Sequence, residues 1–423
     1  MARRSNSSTW RSRKRWLASI VAAAAACAHP SPSTSPLGSE PELRIGVSEL
    51  PSIALGGAGE LILTDDSNGQ PIGSIPVGER WSVVPDSGGA GVRVVHPDGS
   101  LSEPHAGVFA VNVSEGRFAM AQGKAYRGRL NLVRSGAGVL LVNRVPLESY
   151  VASVVGGEMG ARGPNEQAAL LAQAIVSRTF AMRNRGRWEA RGLDAYADTR
   201  DQVYGGVASE EPQAIEATRA TAGWVLTYQG QLIDAFFHST CGEKTAGVEE
   251  AFKSAAPQPY LRPVSDAKPG GGYYCDIAPR FRWREEWDGA KLRAILSRTL
   301  PAVMDVGRDG LQPITNIEIT HTTPSGRVGE LRIVFEHGEV RVPGFDVRSV
   351  LRPEPGRLLG SQAFQLSVTR DGGRVTRVVA DGIGSGHGVG FCQWGALGRA
   401  RAGQTYRTIL TTYFPGTTVA RLY

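Results

Sequence analysis

Apolar and polar positions divide the chain into three stretches with different periods. From about residue 43 to 140, short apolar runs alternate with turn signals. Leu43-Arg-Ile-Gly-Val47, Leu61-Ile-Leu63, Trp81-Ser-Val-Val84, Val92-Arg-Val-Val95 and Leu130-Asn-Leu-Val133 are separated by pairs such as Asn68-Gly69, Asp98-Gly99 and Ser135-Gly136. Short runs rich in β-branched residues and bounded by glycine turns predict strands. From about 145 to 250 the apolar period lengthens to that of a helix, and from about 255 to 423 strands return. Neither a repeat of fixed period nor a heptad pattern is present. The pattern predicts an α+β fold of mixed helices and antiparallel strands, with strand-rich N- and C-terminal parts around a helical segment.

Two helices stand out in the middle stretch. In the first, Pro146 occupies a favoured first-turn place, and Leu147, Tyr150, Val151, Val154 and Val155 share one face. The pair Gly156-Gly157 is expected to end it, because adjacent glycines are poor helix formers and allow positive φ. Glu158 then follows just past the helix end, between apolar Val155 and Met159. A carboxyl partly removed from water there keeps its proton near neutral pH, as a general acid requires. The plainer reading is one surface carboxylate among many. Glu148, ten residues earlier, is expected to be exposed.

The second helix opens at Gly163-Pro164-Asn-Glu166 and runs through AALLAQAIVSRTFAMR. It is apolar nearly all round, apart from Gln173, Ser177 and Arg178, and such a helix is buried. Arg178 must then find a carboxylate or line a cavity. It either supports a site at Glu158 or forms a structural salt bridge.

Charge changes the picture only at the N-terminus. The net charge is +7, from 47 Lys and Arg against 40 Asp and Glu. Six of those basic residues (Arg3, Arg4, Arg11, Arg13, Lys14 and Arg15) precede the first acidic residue, Glu40. The apolar run Trp16–Ala26 follows them, and a basic start before a short apolar run predicts an export signal at 1–27. Ala24-Ala25-Ala26-Cys27 is similar to a bacterial lipobox without its usual leucine, which makes Cys27 a lipidation candidate. Cleavage after Ala28, reading Ala26-Cys27-Ala28 as the site, is the alternative. Residues 28–42, rich in Pro and Ser, read as a tether. The rest of the chain is nearly balanced in charge, so nothing points to nucleic acid, and membrane contact is expected only through a lipid anchor. Ala28 after Cys27 resembles an outer-membrane sorting signal. The expected location is therefore outside the cytoplasm, either periplasmic or anchored to the outer membrane. In that compartment two of Cys241, Cys275 and Cys392 are expected to pair. Cys241 with Cys275, closest in sequence, is the favoured disulfide.

Six blocks carry a family resemblance: PLESYVASVVGGEMG, AALLAQAIVSRTFAMR, DQVYGG, TAGWVLTYQGQLIDAFFHSTCGEKT, PYLRPV and GSGHGVGFCQWGALGRARAG. In this order, over roughly 130–423, the chain resembles the SpoIID/LytB family. The strand pattern sets off a strand-rich region at 43–130, and the resemblance implies a core with the catalytic glutamate at 131–252 and a C-terminal part at 253–423 holding the GHGVGFCQWGA motif. It further implies a lytic transglycosylase that cuts the MurNAc–GlcNAc bonds of peptidoglycan glycan strands, with denuded strands the expected substrate. Such a cut leaves a 1,6-anhydro end. The family's catalytic glutamate sits in a short motif matched here by Gly157-Glu158-Met159. LytB-type members are named as enhancers of an N-acetylmuramoyl-L-alanine amidase, so a non-catalytic glycan-binding protein with an amidase partner is the alternative.

A single glutamate suits that reaction. Ordinary glycoside hydrolysis uses two carboxylates. Here the nucleophile is the sugar's own 6-hydroxyl, and intramolecular attack gains from effective concentration. In the other blocks, Gln202 and Tyr204 are expected to hydrogen-bond to and stack on sugars. His238, Ser239 and Thr240 stand where an apolar strand ends, and His387 lies among glycines that let backbone approach a ligand. Gln393 follows shortly after. The competing reading gives these histidines and glycines the task of fixing a tight loop. Some family members carry a Cys/His cluster just before the Q-V-Y segment. Asp194-Ala-Tyr-Ala-Asp-Thr-Arg-Asp201-Gln202 holds neither residue type, so no metal and no cofactor are expected. His238-x-x-Cys241 with Cys275 or Cys392 offers another ligand set, set aside in favour of the disulfide.

Overall fold

The computed structural model describes residues 38–89, 91–113, 118–306 and 313–423. The expected export signal, Cys27 and the tether up to residue 37 lie outside the described residues. The fold is α+β, with two sheets in the strand-rich opening. One has seven strands in the order Ala195–Tyr196, Glu42–Leu50, Gly138–Pro146, Arg129–Ser135, Gly107–Asn112, Leu61–Asp65, Pro71–Ile75. All its pairings are antiparallel except the first, which is parallel. The other is a five-stranded sheet that includes Ile53–Gly56, Arg80–Pro85 and Val92–Val95. Each strand expected from the short apolar runs is present.

Gly138–Pro146 lies inside the larger sheet and is buried along most of its length. Val139 and Leu141 face the main core, while Leu140 and Val142 pack with Leu193 and Tyr196 on the other face. A strand covered on both faces loses the alternation of a half-exposed one and reads as an unbroken apolar run.

This strand leads straight into helix α1 (Leu147–Met159), followed by α2 (Gln167–Arg183) and α3 (Pro212–Ala220). α2 touches α1, α3 and the two C-terminal helices, Gln393–Arg401 and Tyr406–Tyr413, which explains its lack of a polar face. Among the described residues no helix is long and apolar enough to cross a membrane.

The expected end of α1 is corrected. The helix runs through Gly156 and Gly157 to Met159, so Glu158 lies in its last turn rather than past it. The glycines are there for contact. A Cβ on Gly156 would lie 1.9 Å from the Ser209 carbonyl oxygen, and one on Gly157 would lie 3.2 Å from that of Val203. A neighbouring backbone segment packs directly on the helix backbone, and the packing outweighs the poor helix propensity of the pair.

Arg178 resolves into a buried ion pair, and Glu148 is not exposed as expected. The Arg178 Nε donates to Glu148 Oε1 at 2.8 Å and its Nη2 to Oε2 at 2.5 Å, while Nη1 reaches the Trp224 carbonyl at 3.0 Å. Glu148 also accepts from the Gly223 N–H at 3.2 Å and from the Tyr423 hydroxyl. Ten residues along α1 amount to about 15 Å, so this pair sits at the far end of the helix from Glu158.

A second core lies within the C-terminal stretch. Trp287, Leu292, Leu296, Leu331, Ile333 and Val378 belong to it, gathered from two three-stranded sheets and the helices Gly289–Thr299 and Gly344–Val350. After it the chain returns to the main core, which takes Val389, Phe391, Leu397 and Leu410. The buried clusters thus leave Tyr260, Leu261, Cys275 and Phe281 with the main core, make the stretch from Trp287 to Ala380 an inserted body, and return the chain to the main core from Val389.

Two stability experiments follow from this packing. Glu148→Leu leaves the Arg178 guanidinium buried without its partner and should cost about 3–5 kcal/mol in denaturant unfolding. The double change with Arg178→Met should cost much less. Gly156→Ala would gain about 1 kcal/mol from helix propensity alone. Contact with Ser209 should reverse the sign, giving a net loss of about 1–3 kcal/mol, read from the same unfolding curves.

Candidate active site

Glu158 is positioned by the end of α1 and by two segments that arrive from elsewhere in the sequence. Its Oε1 accepts the Val203 N–H at 3.2 Å, and its Oε2 accepts the Gln393 side-chain amide at 3.3 Å. Neither partner carries a charge, and Glu158 makes no ion pair among the described residues. Burial raises its carboxyl pKa above the ordinary value, and the two hydrogen bonds to the charged form offset part of that rise. The last turn of a helix is also the negative end of its dipole, which further disfavours a carboxylate there. The group is suited to holding a proton and releasing it on demand.

Gln202 and Tyr204 do not stand ready for a sugar as expected. Gln202 is buried and accepts the Tyr150 hydroxyl at 3.1 Å. The Tyr204 hydroxyl donates to Asn143 Oδ1 at 2.6 Å, and its ring stacks on Tyr150 with centroids 5.3 Å apart. Burial alternates residue by residue along this irregular segment. Gln202 and Tyr204 point inward as anchors, while Val203 between them is 38% exposed and presents its N–H to Glu158. The pair positions a backbone donor rather than forming the binding surface.

The histidines also serve the backbone. His387 Nε2 donates to the Phe237 carbonyl at 2.8 Å, and its Nδ1 accepts the Val389 N–H at 3.1 Å. Both nitrogens are engaged in the neutral tautomer. Burial, then the neighbouring His238, holds the imidazole well below its usual pKa. His238 is buried, and its Nδ1 donates to the Val389 carbonyl at 3.1 Å. Ser239 and Thr240 act through their main chains. The Ser239 carbonyl accepts the Trp394 N–H at 3.0 Å, and Thr240 exchanges hydrogen bonds of 2.9 and 2.8 Å with Ser385. Together with the parallel pairing of Phe237–His238 and Phe391–Cys392, these contacts fix the segment that carries Gln393.

Of the residues expected to surround Glu158, Gln393 alone is placed in direct contact with its carboxylate. Arg178 belongs to the far end of α1. Two features escaped the sequence reading. The Val203 N–H is a backbone group and leaves no signature in residue types. Arg162, three residues past the helix, lies with its guanidinium carbon 5.1 Å from the ring centre of Trp394, the residue after Gln393. A cation placed soon after the Glu-Met pair was the available signal. The expected Cys241–Cys275 disulfide is not formed: the sulfurs lie 3.6 Å apart as free thiols, with Cys392 close by.

Comparison with known proteins bears on this geometry. A family model described as stage II sporulation protein matches residues 135–228, which hold α1, α2, α3 and Glu158. A domain of unknown function matches residues 269–390, over the second core. The chain is 30% identical over 294 residues to stage II sporulation protein D of Bacillus subtilis, covering 66% of this chain and 76% of that one. It is 29% identical over 298 residues to an uncharacterized protein of Brachyspira hyodysenteriae, covering 70% and 72%. It is also 28% identical over 277 residues to the amidase enhancer of Bacillus subtilis, of which it spans 38%. Identity sustained over three quarters of a stage II sporulation protein D, with the family model lying across the helices that carry Glu158, makes this chain a member of the SpoIID family.

Proposed function

We propose that this chain is a peptidoglycan lytic transglycosylase, acting on denuded glycan strands outside the cytoplasm, with Glu158 as its single acid/base. One observation carries the reading: a half-buried carboxyl with a raised pKa, held by two neutral donors and, among the described residues, free of ion pairs. Protonated Glu158 gives its proton to the glycosidic oxygen as the bond to the MurNAc anomeric carbon breaks. The resulting carboxylate then takes the proton of the same sugar's 6-hydroxyl as that oxygen closes on the anomeric carbon. The product is a 1,6-anhydro end and a free GlcNAc hydroxyl, with no water consumed. The Val203 N–H and the Gln393 amide stabilise the carboxylate formed midway, so both steps stay accessible to one group.

The amidase enhancer among the relatives supports a second reading, in which the chain binds glycan and stimulates an amidase without cutting. Either role suits an exported protein, periplasmic or held by a lipid on Cys27.

Digestion of denuded strands, with products read by mass spectrometry, tests the proposal. Anhydro-ended fragments should form, and Glu158→Gln should reduce their rate by about 10²–10⁴-fold, the usual worth of a positioned acid/base. Glycan binding without anhydro product, equal in the wild type and the variant, would favour the enhancer.

The pH profile gives a second check. A general acid works only while protonated, so activity should extend above the ordinary carboxyl range and fall as pH rises through the Glu158 pKa. Gln393→Ala removes a hydrogen bond to the charged form, so the alkaline limb should move to higher pH. An unmoved limb would show that Gln393 does not act on Glu158.

A further inference from the structure

Three thiols from distant parts of the sequence meet in the main core. Cys241, Cys275 and Cys392 are buried, as is Asp266, and their sulfur and carboxylate oxygen atoms all lie within 4.8 Å of one another. We propose that Cys241, Cys275, Cys392 and Asp266 form a closed structural site for one tetrahedral divalent cation of the zinc class.

The spacing fits such an ion. Two thiolates bound at about 2.3 Å to a tetrahedral centre lie about 3.8 Å apart, and Cys241 Sγ and Cys275 Sγ are 3.6 Å apart. Three sulfurs and an oxygen complete the four ligands that a closed site of this kind requires. Asp266 has capacity for the role. Its Oδ2 accepts the Cys275 N–H at 2.8 Å, and its Oδ1 accepts the Tyr413 hydroxyl at 2.7 Å and Arg399 at 3.2 Å. A carboxylate offers about four acceptor positions, so one stays open. These contacts hold and orient it as supporting partners do for metal-bound carboxylates.

The surroundings are built for negative sulfur. Cys392 caps the Gln393–Arg401 helix, and its Sγ accepts the N–H groups of Cys241 at 3.2 Å and Gly395 at 3.3 Å. A thiolate is the better acceptor for both, and the helix N-terminus favours its charge.

Arg327 provides an independent sign. Its side chain is among the largest that are fully buried, and among the described residues it forms no ion pair. Its Nη2 donates to the carbonyls of Cys241 and Lys244, both at 3.1 Å, and its Nε has no partner. A buried cation needs a counter-charge. Three thiolates, one carboxylate and one dication sum to two negative charges. Arg327 beside Cys241, and Arg399 on Asp266, supply two positive ones.

Loading is an exchange without redox change. The cation takes one electron pair from each sulfur and one from Asp266, and three thiol protons pass to solvent. The bound ion would tie the strand ending at Cys392 to the segments holding Cys241 and Cys275. Gln393, the next residue, would thereby be fixed against Glu158. This replaces the Cys241–Cys275 disulfide expected from the compartment.

The full-length chain, purified without chelator, should contain about one equivalent of zinc by elemental analysis. Removing zinc and titrating with cobalt(II) should give one equivalent of a tetrahedral, thiolate-rich cobalt spectrum. Zinc loss should also lower the melting temperature. Cys275→Ser should reduce the zinc content well below one equivalent. Because that variant could fail to fold, the cobalt titration of the wild type stands as the independent test. A chain that takes up neither ion while its thiols remain free overturns the proposal. So does an intact mass two hydrogens short, with the Cys241–Cys275 bond found by peptide mapping.

Discussion

The site depends on backbone packed against backbone at the C-terminal end of α1. Ser209 approaches the helix at Gly156 too closely for a side chain to stand between them, and Val203 lies in tight contact at Gly157. That approach takes water from Glu158 and brings the Val203 N–H to its carboxylate. The segment is held from beneath by the stack of Tyr204 on Tyr150 and the bond from Tyr204 to Asn143, on the strand that leads into α1. Helix, strand and loop thus act as one frame around a single carboxyl.

α1 carries two glutamates in opposite settings. Glu148, in the first turn, meets the Arg178 fork and is locked as half of an ion pair with no part in proton transfer. Glu158, in the last turn, meets neutral donors and the negative end of the helix. Environment rather than residue type sets these two carboxyls apart. The Arg178 pair also ties α1 to α2, and Glu148 to Tyr423, at the far end of α1 from Glu158.

The glycine-rich C-terminal motif acts on the site at one remove. His387 spends both ring nitrogens on the Phe237 carbonyl and the Val389 N–H, and His238 its Nδ1 on the Val389 carbonyl, so the motif is a backbone clamp. It delivers Gln393 to Glu158. The chain reaches this point only after forming a second core between the two halves of the main one. The matches follow that division, with one family model over the helices and another over the inserted body.

The sequence by itself determined the α+β class, the strands of the opening and the burial of α2, and it singled out Glu158 as the candidate acid/base. Each is written in local periodicity or in a contiguous motif, and local patterns survive in one dimension. It also showed that Arg178 needed a partner, because a buried guanidinium cannot stand alone. Only the tertiary structure decided which partner, since Glu148 and Glu158 share a helix and differ in what packs against each end. It kept the glycine pair inside α1, where close packing outweighs propensity. It turned Tyr204 and the histidines from sugar contacts into anchors, and it gathered Cys241, Cys275 and Cys392 into one cluster. Those outcomes depend on segments that meet across long stretches of chain, and spacing along a sequence carries no record of such meetings.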